Sequence, residues 1–474
     1  MPFNLKYKIS KTTSKILSKT LKILPTGGKS LPGLTFIRMM GLGGITTLEN
    51  DKIKHGSIII TGTNGKTTTT KMIIGLLSKD NEIAKSVDNN TIYALTTGLI
   101  NNKGDLGVFE YGIRDIKHGQ PETIQKIINP IGVVYTNISR EHTQVAGIKN
   151  PFEEYFKAKR LLSQNMKKGL IITNADDPFT AHIGLEKEKD IKILYYGFDL
   201  NITNTIGQIA NCPNCGKPLK YNKHFMNHRG EYYCNCGFKK PEPDVKLTNL
   251  TTKDNKWLIE IEANSYNYIN KKPIQFKLEL KTPILGLHNI YNTLCAITVY
   301  SAFTPKTETI EENIKEYYSN LDKSILPHGR FEIIKYKDKL IGVGQGDNGD
   351  ALLVNSLFMK QHLKNNKLHF IYTTPDEFEE EIFNDHLNII KGLKPNHISV
   401  LPGRTSTNIG LYYCDKLSFL FESDVHLIKE LDKRIEKIIE IIEKSEYKYI
   451  LITGCGDEHK FWAKLIEKIK ETKK

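Results

Sequence analysis

A glycine-rich stretch near the start of the chain carries residue types that could bind phosphate. Residues 57–61 form a short, largely apolar run rich in β-branched side chains, the run stops at Gly62, and a helical pattern begins near Lys66. Backbone N–H groups of such a turn, together with a helix N-terminus, form an anion site. Lys66 would then reach the terminal phosphates of a nucleotide, and the Thr67 hydroxyl would bind Mg²⁺. Two residues separate Gly62 from Gly65, against four in the general pattern, so an ordinary strand-to-helix turn is the alternative.

Two side chains further along the chain could complete a metal site beside this loop. Glu110 ends a short apolar run at 106–110, and His142 closes the polar stretch that follows another run at 131–136. In a parallel sheet the carboxyl ends of the strands share one edge, where ligands bind. A carboxylate and an imidazole at that edge could hold a second Mg²⁺. A solvated carboxylate and a structural histidine are the alternatives.

Four of the seven cysteines have the spacing of a zinc ribbon. They are Cys212, Cys215, Cys234 and Cys236. A glycine follows each pair, and two tight turns that present thiolates can close a tetrahedral zinc site with no position left open for catalysis. The second pair is one residue shorter than usual, so His224 or His228 could supply one ligand instead. We therefore predict a structural zinc site.

The composition indicates a soluble globular protein, and no apolar run is long enough to cross a membrane. At 474 residues the chain is long enough for two or three domains. An odd number of cysteines without a signal peptide argues against a disulfide framework and predicts the reducing cytoplasm. The net charge of +14 favours acidic partners. Because the lysines are spread along the chain, we expect phosphate-bearing ligands rather than sequence-specific binding of nucleic acid.

The first 30 residues contain seven lysines and no acidic residue, with apolar side chains at loose helical spacing. No continuous apolar core of signal-peptide length is present. We expect a helix that packs on the next domain, since a charge run usually marks a solvated face. Attachment of a basic amphipathic helix to an anionic membrane surface is the alternative.

Short β-rich runs alternate with helical patterns between residues 55 and 200, and a second alternation follows later in the chain. This alternation predicts βαβ units and a mostly parallel sheet. We therefore predict an α/β protein with a basic N-terminal segment at 1–50 and a central ATP-binding domain at 51–322. The central domain would carry the four-cysteine zinc ribbon as an insertion at 208–243. A smaller, Rossmann-like α/β domain would follow at 323–474.

Taken together, these motifs resemble the Mur ligase superfamily, ATP-dependent enzymes that build cell-wall peptides. For ATP binding the resemblance implies Gly62, Thr63, Asn64, Gly65, Lys66, Thr67, Thr68, Asn289, Asn292 and Arg330. For Mg²⁺ it implies Thr67, Glu110 and His142, and for catalysis Lys66, Glu110, His142, Lys159 and Arg330. Lys159 falls where many members carry a carbamylated lysine. The two asparagines fall on the adenine side, and the arginine matches one that contacts phosphate.

Within the superfamily the chain is similar to the MurT-like branch, which carries a ribbon insertion of this kind. The break at 28–33, the segment 236–245 and the short region before the ATP loop all resemble that branch. The chain departs from it at 374–382, where the branch has an Asp-Gly-Arg-Asp stretch, and at 346–352, which is nearer to the amino-acid ligases. These departures suit the MurT-related ligases of archaeal pseudomurein synthesis.

The resemblance implies a ligase that activates a carboxylate as an acyl phosphate and joins an amino acid to a nucleotide-linked, pseudomurein-type peptide. The alternative is an isoglutaminyl synthase subunit that amidates a lipid-linked peptide with ammonia from a glutaminase partner, which the departures disfavour. ATP, Mg²⁺ and Zn²⁺ are the expected cofactors, and nucleic acid is not an expected partner. A third hypothesis is a non-catalytic protein that binds nucleic acid or membrane through its ribbon and N-terminus. We expect a cytoplasmic location, with the inner membrane surface as the alternative.

Overall fold

The computed structural model describes most of the chain as two compact units. The described residues are 2–21, 29–87, 91–140, 151–202, 208–253, 256–283, 286–322, 325–326, 331–363, 365–377, 379–403, 408–456 and 458–472. Unit 1 holds the described residues of Met1–Ile138, Lys149–Thr205 and Ile209–Ile325, and unit 2 those of Ser139–Ile148, Ile206–Gln208 and Leu326–Lys474. The division at 1–50, 51–322 and 323–474 stays a prediction.

Unit 1 is built on one large, mostly parallel sheet and a separate hairpin. Its strands are β1 (Ser57–Thr61), β2 (Ile83–Ser86), β3 (Leu106–Glu110), β4 (Gly132–Tyr135), β5 (Leu170–Asn174), β6 (Lys192–Phe198), β7 (Lys220–Met226), β8 (Arg229–Tyr233), β9 (Val245–Lys253), β10 (Lys256–Asn267) and β11 (Lys272–Thr282). The sheet order is β11-β10-β9-β6-β5-β4-β1-β3-β2, and β7 pairs with β8 apart from it. Strands β9, β10 and β11 pair antiparallel, and the other neighbours, including β6 with β9, pair parallel.

Helices surround this sheet and complete its core. They are α1 (Phe3–Leu21), α2 (Leu31–Met40), α3 (Gly43–Lys52), α4 (Lys66–Leu77), α5 (Ile92–Asn101), α6 (Ile116–Gly119), α7 (Pro121–Ile128), α8 (Pro151–Gln164), α9 (Pro178–Lys187), α10 (Leu287–Phe303) and α11 (Ile310–Ser319). Ile59, Phe109 and Val133 share one apolar core with side chains of α5, α7 and α8. Because side chains alternate along a strand, Ile58 and Ile60 point to the opposite face. Both faces of the central strands are therefore buried, which explains their continuous apolar sequence.

Unit 2 is a smaller α/β body with its own sheet. Its strands are β12 (Glu332–Tyr336), β13 (Lys339–Gln345), β14 (Leu368–Thr374), β15 (His397–Pro402), β16 (Ser423–Val425) and β17 (Tyr449–Gly454). Its helices are α12 (Gly349–Leu363), α13 (Glu380–Leu393), α14 (Asn408–Ser418), α15 (Leu431–Lys444) and α16 (Glu458–Glu471). The sheet order is β12-β13-β17-β14-β15-β16, with only the edge strand β12 antiparallel among the described strands.

The predicted α/β fold class is confirmed, since both stretches of alternating strand and helix patterns fold into mostly parallel sheets. Strands β1 and β3 have the predicted bounds. The sequence pattern also predicts strands at 131–136, 169–173, 192–196, 340–343, 369–372, 397–401 and 449–453, and the observed strands β4, β5, β6, β13, β14, β15 and β17 end within about two residues of these limits. Helix α1 does pack on its neighbours, through contacts with α2 and α5. No helix among the described residues is long and apolar enough to cross a lipid bilayer.

Candidate functional site

The glycine-rich loop links β1 directly to α4, as the sequence predicts. Gly62 and Gly65 have φ values of 151° and 79°, a region that side chains rarely adopt. A Cβ atom at Gly62 would collide with the Thr136 hydroxyl, and one at Gly65 would collide with the Asn292 amide oxygen. Glycine is therefore needed at both positions for conformation and for space. The loop ends at the N-terminus of α4, where backbone N–H groups lack intrahelical partners.

Residues after β4 hold the backbone of this loop in place. The Thr63 N–H donates to the Asn137 carbonyl at 2.8 Å, and the Asn64 N–H donates to the Asn137 side-chain oxygen at 3.1 Å. In return the Asn137 amide and the Thr136 hydroxyl both donate to the Asn64 carbonyl at 2.8 Å. Tyr155 of α8 contacts the loop from another side, with its hydroxyl 2.9 Å from that of Thr63. The loop is thus pre-organised before any ligand binds.

The predicted phosphate and Mg²⁺ side chains lie together at the start of α4. Lys66 Nζ donates to the Thr63 carbonyl at 2.7 Å, so its ammonium group lies over the loop. The Thr67 hydroxyl donates to Glu110 Oε1 at 2.8 Å, and Glu110 is only 2% exposed. A hydroxyl and a buried carboxylate in contact are oxygen donors of the kind that Mg²⁺ takes. Thr68 is buried in the same first turn of the helix.

Lys159 approaches the loop from α8 and is almost fully buried. Its Nζ donates to the carbonyls of Gly62 and Ile113, both at 3.1 Å, and lies 4.5 Å from the centre of the Tyr155 ring. These contacts join the first carbonyl of the glycine-rich loop to the segment after β3. Carbamylation of Lys159 stays a prediction.

The two predicted adenine-side asparagines also lie beside the loop. Both are buried in the first turns of α10. Asn292 Oδ1 accepts a hydrogen bond from the Thr69 hydroxyl of α4 at 3.1 Å, and Asn292 Nδ2 donates to Asn289 Oδ1 at 3.2 Å. Helix α10 is therefore fixed against α4 at this end. The remaining two predicted site residues, His142 and Arg330, lie outside the described residues.

The four clustered cysteines converge on one point. Their Sγ atoms all lie within 4.8 Å of one another, with Cys212 to Cys236 at 3.6 Å and Cys215 to Cys234 at 3.5 Å. Tetrahedral zinc with Zn–S bonds of about 2.3 Å requires S···S distances of about 3.8 Å, so the thiols fit a zinc ion. A backbone N–H from Cys236 lowers the pKa of the Cys234 thiol to about 7, whereas burial raises the pKa of the Cys212 thiol.

The alternative histidine ligands point elsewhere. His228 Nε2 lies 3.3 Å from Asp177 Oδ2, and His224 Nδ1 lies 3.3 Å from the Asn227 carbonyl. The short Cys-x-Cys pair supplies two of the four converging thiols, and Gly237, directly after it, takes a φ of 94° that favours glycine.

The segment that carries the four cysteines and the hairpin of β7 and β8, called the ribbon here, is anchored on the rest of unit 1. Buried charged groups, which the sequence did not reveal, make these contacts. Lys240 Nζ lies 2.7 Å from Asp176 Oδ1, and the fully buried Asp176 also accepts hydrogen bonds from the Tyr291 hydroxyl and the Phe198 N–H, both at 2.8 Å. The Arg229 guanidinium lies 5.5 Å from the centre of the Tyr291 ring. Burial raises the pKa of Asp176 despite the nearby Lys240. Tyr291 is the direct neighbour of Asn292, so the ribbon contacts helix α10, which lies beside the glycine-rich loop.

Comparison with known proteins places these features in a family. Residues 60–217 match the Mur ligase middle domain. The MurT subunit of lipid II isoglutaminyl synthase from Staphylococcus aureus (strain COL) is 26% identical over 325 residues, which is 66% of this chain and 66% of that protein. A pseudomurein peptide ligase type C from Methanothermus fervidus superposes with a TM-score of 0.65 at 26% identity, over 88% of this chain and 79% of that one.

A more distant relative extends the comparison to the amino-acid ligases. UDP-N-acetylmuramoyl-L-alanyl-D-glutamate–2,6-diaminopimelate ligase 1 from Clostridium acetobutylicum is 24% identical over 379 residues, covering 65% of this chain and 76% of that protein. Residues 60–217 therefore belong to the Mur ligase middle-domain family, and the chain over about two thirds of its length or more is similar to MurT and to the pseudomurein ligase. The match spans just under two thirds of the MurT length.

Proposed function

We propose that this protein is an ATP-dependent ligase that forms an amide bond in the synthesis of a cell-wall precursor. The contact between Thr67 and the buried Glu110, directly after a pre-organised glycine loop, is the observation that best supports ATP binding. The relatives named above are ligases or a synthase subunit, which supports the same reaction class. The substrates would be a nucleotide-linked peptide of the pseudomurein type and an amino acid.

In this proposal the chain contributes mainly binding and positioning. The loop N–H groups and Lys66 would hold the terminal phosphates, while Asn289 and Asn292 would contact the adenine side. Mg²⁺ held by Thr67 and Glu110 would neutralise negative charge on the phosphates, which is the main contribution to catalysis of phosphoryl transfer. The substrate carboxylate attacks the terminal phosphorus, so ADP leaves and an acyl phosphate forms. The amine then attacks the acyl carbon, inorganic phosphate leaves, and the amine loses a proton.

The test is release of phosphate from ATP during a screen of amino acids and precursor peptides. We expect release that requires both a peptide and one amino acid, with no second protein added. Lys66→Ala should abolish it, whereas Lys79→Ala, at a lysine just after the same helix, should leave it unchanged. Amino-acid-dependent turnover that persists in Lys66→Ala would contradict the proposed role of the loop. A complete absence of turnover would favour the non-catalytic hypothesis.

The second candidate is an amidating subunit, which the similarity to MurT supports. It would use the same acyl phosphate, and ammonia from a glutaminase would replace the amino acid. Phosphate release that responds to ammonium ions and to no amino acid would favour this candidate. Co-purification with a glutaminase would favour it further, and amino-acid-dependent turnover by the isolated chain would exclude it.

We also propose that the cysteine cluster holds one structural zinc ion. The convergence of four thiols at nearly tetrahedral spacing supports this assignment. Elemental analysis of the purified protein should give one zinc per chain, and Cys215→Ser should lower that ratio strongly. Cys414→Ser, in unit 2, is the matched control and should retain zinc. Full zinc content in Cys215→Ser would contradict the four-thiol site.

A further inference from the structure

Helix α1 is held on unit 1 in one defined rotation, with a face of small polar residues turned inward. Ser10, Ser14 and Ser18, spaced by one helical turn, are all buried. Asn101 Nδ2 of α5 donates to Ser18 Oγ at 2.8 Å, and the Tyr7 hydroxyl donates to Asp51 Oδ2 at 2.9 Å. The inward face of the helix therefore combines these buried serines with the half-buried side chains of Tyr7, Leu17 and Leu21.

This rotation leaves apolar side chains on the outside. Leu5, Ile9 and Ile16 are 49%, 39% and 60% exposed. At about 3.6 residues per turn these three positions lie within about 40° of one another, on the side away from the buried serines. In most surface helices the apolar stripe faces the core. Here a second apolar stripe, formed by Leu5, Ile9 and Ile16, faces outward, and the structure shows no protein surface against it among the described residues.

Lysines border this outward stripe on both sides. Lys8, Lys15 and Lys19 lie along one side and Lys6 along the other, and all four are exposed. The described part of the helix, residues 3–21, has no acidic residue. Lysine side chains in this arrangement can extend toward anionic head groups while the apolar side chains between them enter the lipid.

We propose that the outer face of α1 docks this protein on an anionic lipid surface, with the helix lying in the plane of that surface. Charge complementarity and the apolar stripe together identify the partner. A nucleic acid would use the lysines but would leave Leu5, Ile9 and Ile16 in water. A lipid surface uses both sets of side chains. The proposal does not rest on the proposed ligase activity, because lipid binding is measured without turnover.

The experiment is co-sedimentation of the full chain with vesicles of phosphatidylcholine, with and without phosphatidylglycerol. We expect binding to the anionic vesicles that weakens as salt is added, and little binding to pure phosphatidylcholine. Lys8→Gln, Lys15→Gln and Lys19→Gln together should weaken binding by about 100-fold, since each lysine near an anionic surface contributes about fivefold. Ile9→Ser combined with Ile16→Ser should weaken it at least about tenfold.

The chain offers matched controls in unit 2. Lys464→Gln, Lys468→Gln and Lys470→Gln together change the net charge equally, and Phe419→Ser with Leu420→Ser removes two exposed apolar groups. Both controls should bind vesicles like the wild type. All four variants change exposed side chains, and an unchanged thermal unfolding midpoint would show that each is folded.

Three results would overturn the proposal. The first is a wild-type chain that does not sediment with anionic vesicles. The second is undiminished binding by the Ile9→Ser, Ile16→Ser variant, which would indicate a purely electrostatic surface such as one for nucleic acid. The third is an equal loss in the unit 2 controls, which would assign the binding to net charge or to another face.

Discussion

The buried ion pair between Lys240 and Asp176 allows a quantitative test of how the ribbon is anchored. Asp176 is fully buried and the Lys240 side chain is 12% exposed. Lys240→Met would remove the positive partner and leave the carboxylate uncompensated. Breaking a buried pair in this way costs about 3–5 kcal/mol, whereas replacing both partners is often neutral. We therefore expect Lys240→Met to lower the free energy of unfolding of unit 1 by about 3–5 kcal/mol. The double variant Asp176→Asn, Lys240→Met should have a free energy of unfolding within about 1 kcal/mol of the wild-type value.

The loss should also depend on pH, and its sign follows from the raised pKa of Asp176. The nearby Lys240 holds that pKa down, so Lys240→Met raises it further above the value in the unfolded chain. An unfolded aspartate releases its proton near pH ~3.9, and the buried one then releases it only at a higher pH. The difference in free energy of unfolding between the wild type and Lys240→Met is therefore small near pH ~4. It grows as the pH rises through the pKa of Asp176 in the folded variant.

The two tryptophans of the chain make the assay specific. Trp257 lies in β10 of unit 1 and Trp462 in α16 of unit 2, and both are buried. In a Trp462→Phe background, urea unfolding followed by fluorescence reports unit 1 alone. A loss below about 1 kcal/mol in Lys240→Met, or an equal loss in the double variant, would refute the buried-pair argument.

Three further predictions concern single side chains. Gly65→Ala, which adds a Cβ against Asn292 in a left-handed position, should weaken ATP binding at least about tenfold by calorimetry. Gly41→Ala, at another glycine with a positive φ but with open space around it, should leave that affinity unchanged, and equal effects would contradict the argument. Burial raises the pKa of Glu49 to about 7, so its ionisation costs stability as pH rises from 4.5 through 7. Glu49→Gln should add about 3 kcal/mol to the free energy of unfolding at pH ~8 and little at pH ~4.5, and a pH-independent gain would contradict it. Burial lowers the pKa of His369 to about 4, so the wild type should lose about 3 kcal/mol between pH 6.5 and 4. In His369→Gln, the free energy of unfolding measured in urea should depend less on pH over this range. The same pH dependence in the variant and the wild type would refute the assignment of this loss to His369.

The elements that the sequence predicted well are those with a local signal. Strand β1 is a β-branched run that stops at a glycine, and both signals lie within a few residues. Strand β9 was missed because Lys246-Leu-Thr-Asn-Leu-Thr-Thr-Lys253 is polar, and only its pairing with β6 and β10 makes it a strand. The cysteine cluster was predictable from spacing alone.

The contacts that hold the site together required three-dimensional information. Asn137, which fixes the phosphate loop, stands out in the sequence only as a polar residue after a strand. Lys240 is one lysine among many, and its partner Asp176 lies 64 positions earlier in the chain. The rotation of α1 was likewise hidden, because its apolar spacing predicts a helix and does not say which face is buried. Long-range pairing and helix rotation are set by packing, which one sequence does not display.

The parallel pairing of β6 with β9 has a consequence for how the protein is made. A parallel pair needs a long crossover between its strands, and an α-helix normally supplies it. Here the described part of the crossover, residues 199–202 and 208–244, contains the ribbon hairpin and no α-helix. If the four thiolates hold the proposed zinc ion, the metal would take the place of that helix as the nucleus of the crossover. Newly synthesised chains would then need zinc before β9, β10 and β11 can join the sheet, so the supply of active protein in the cell would follow the supply of the metal.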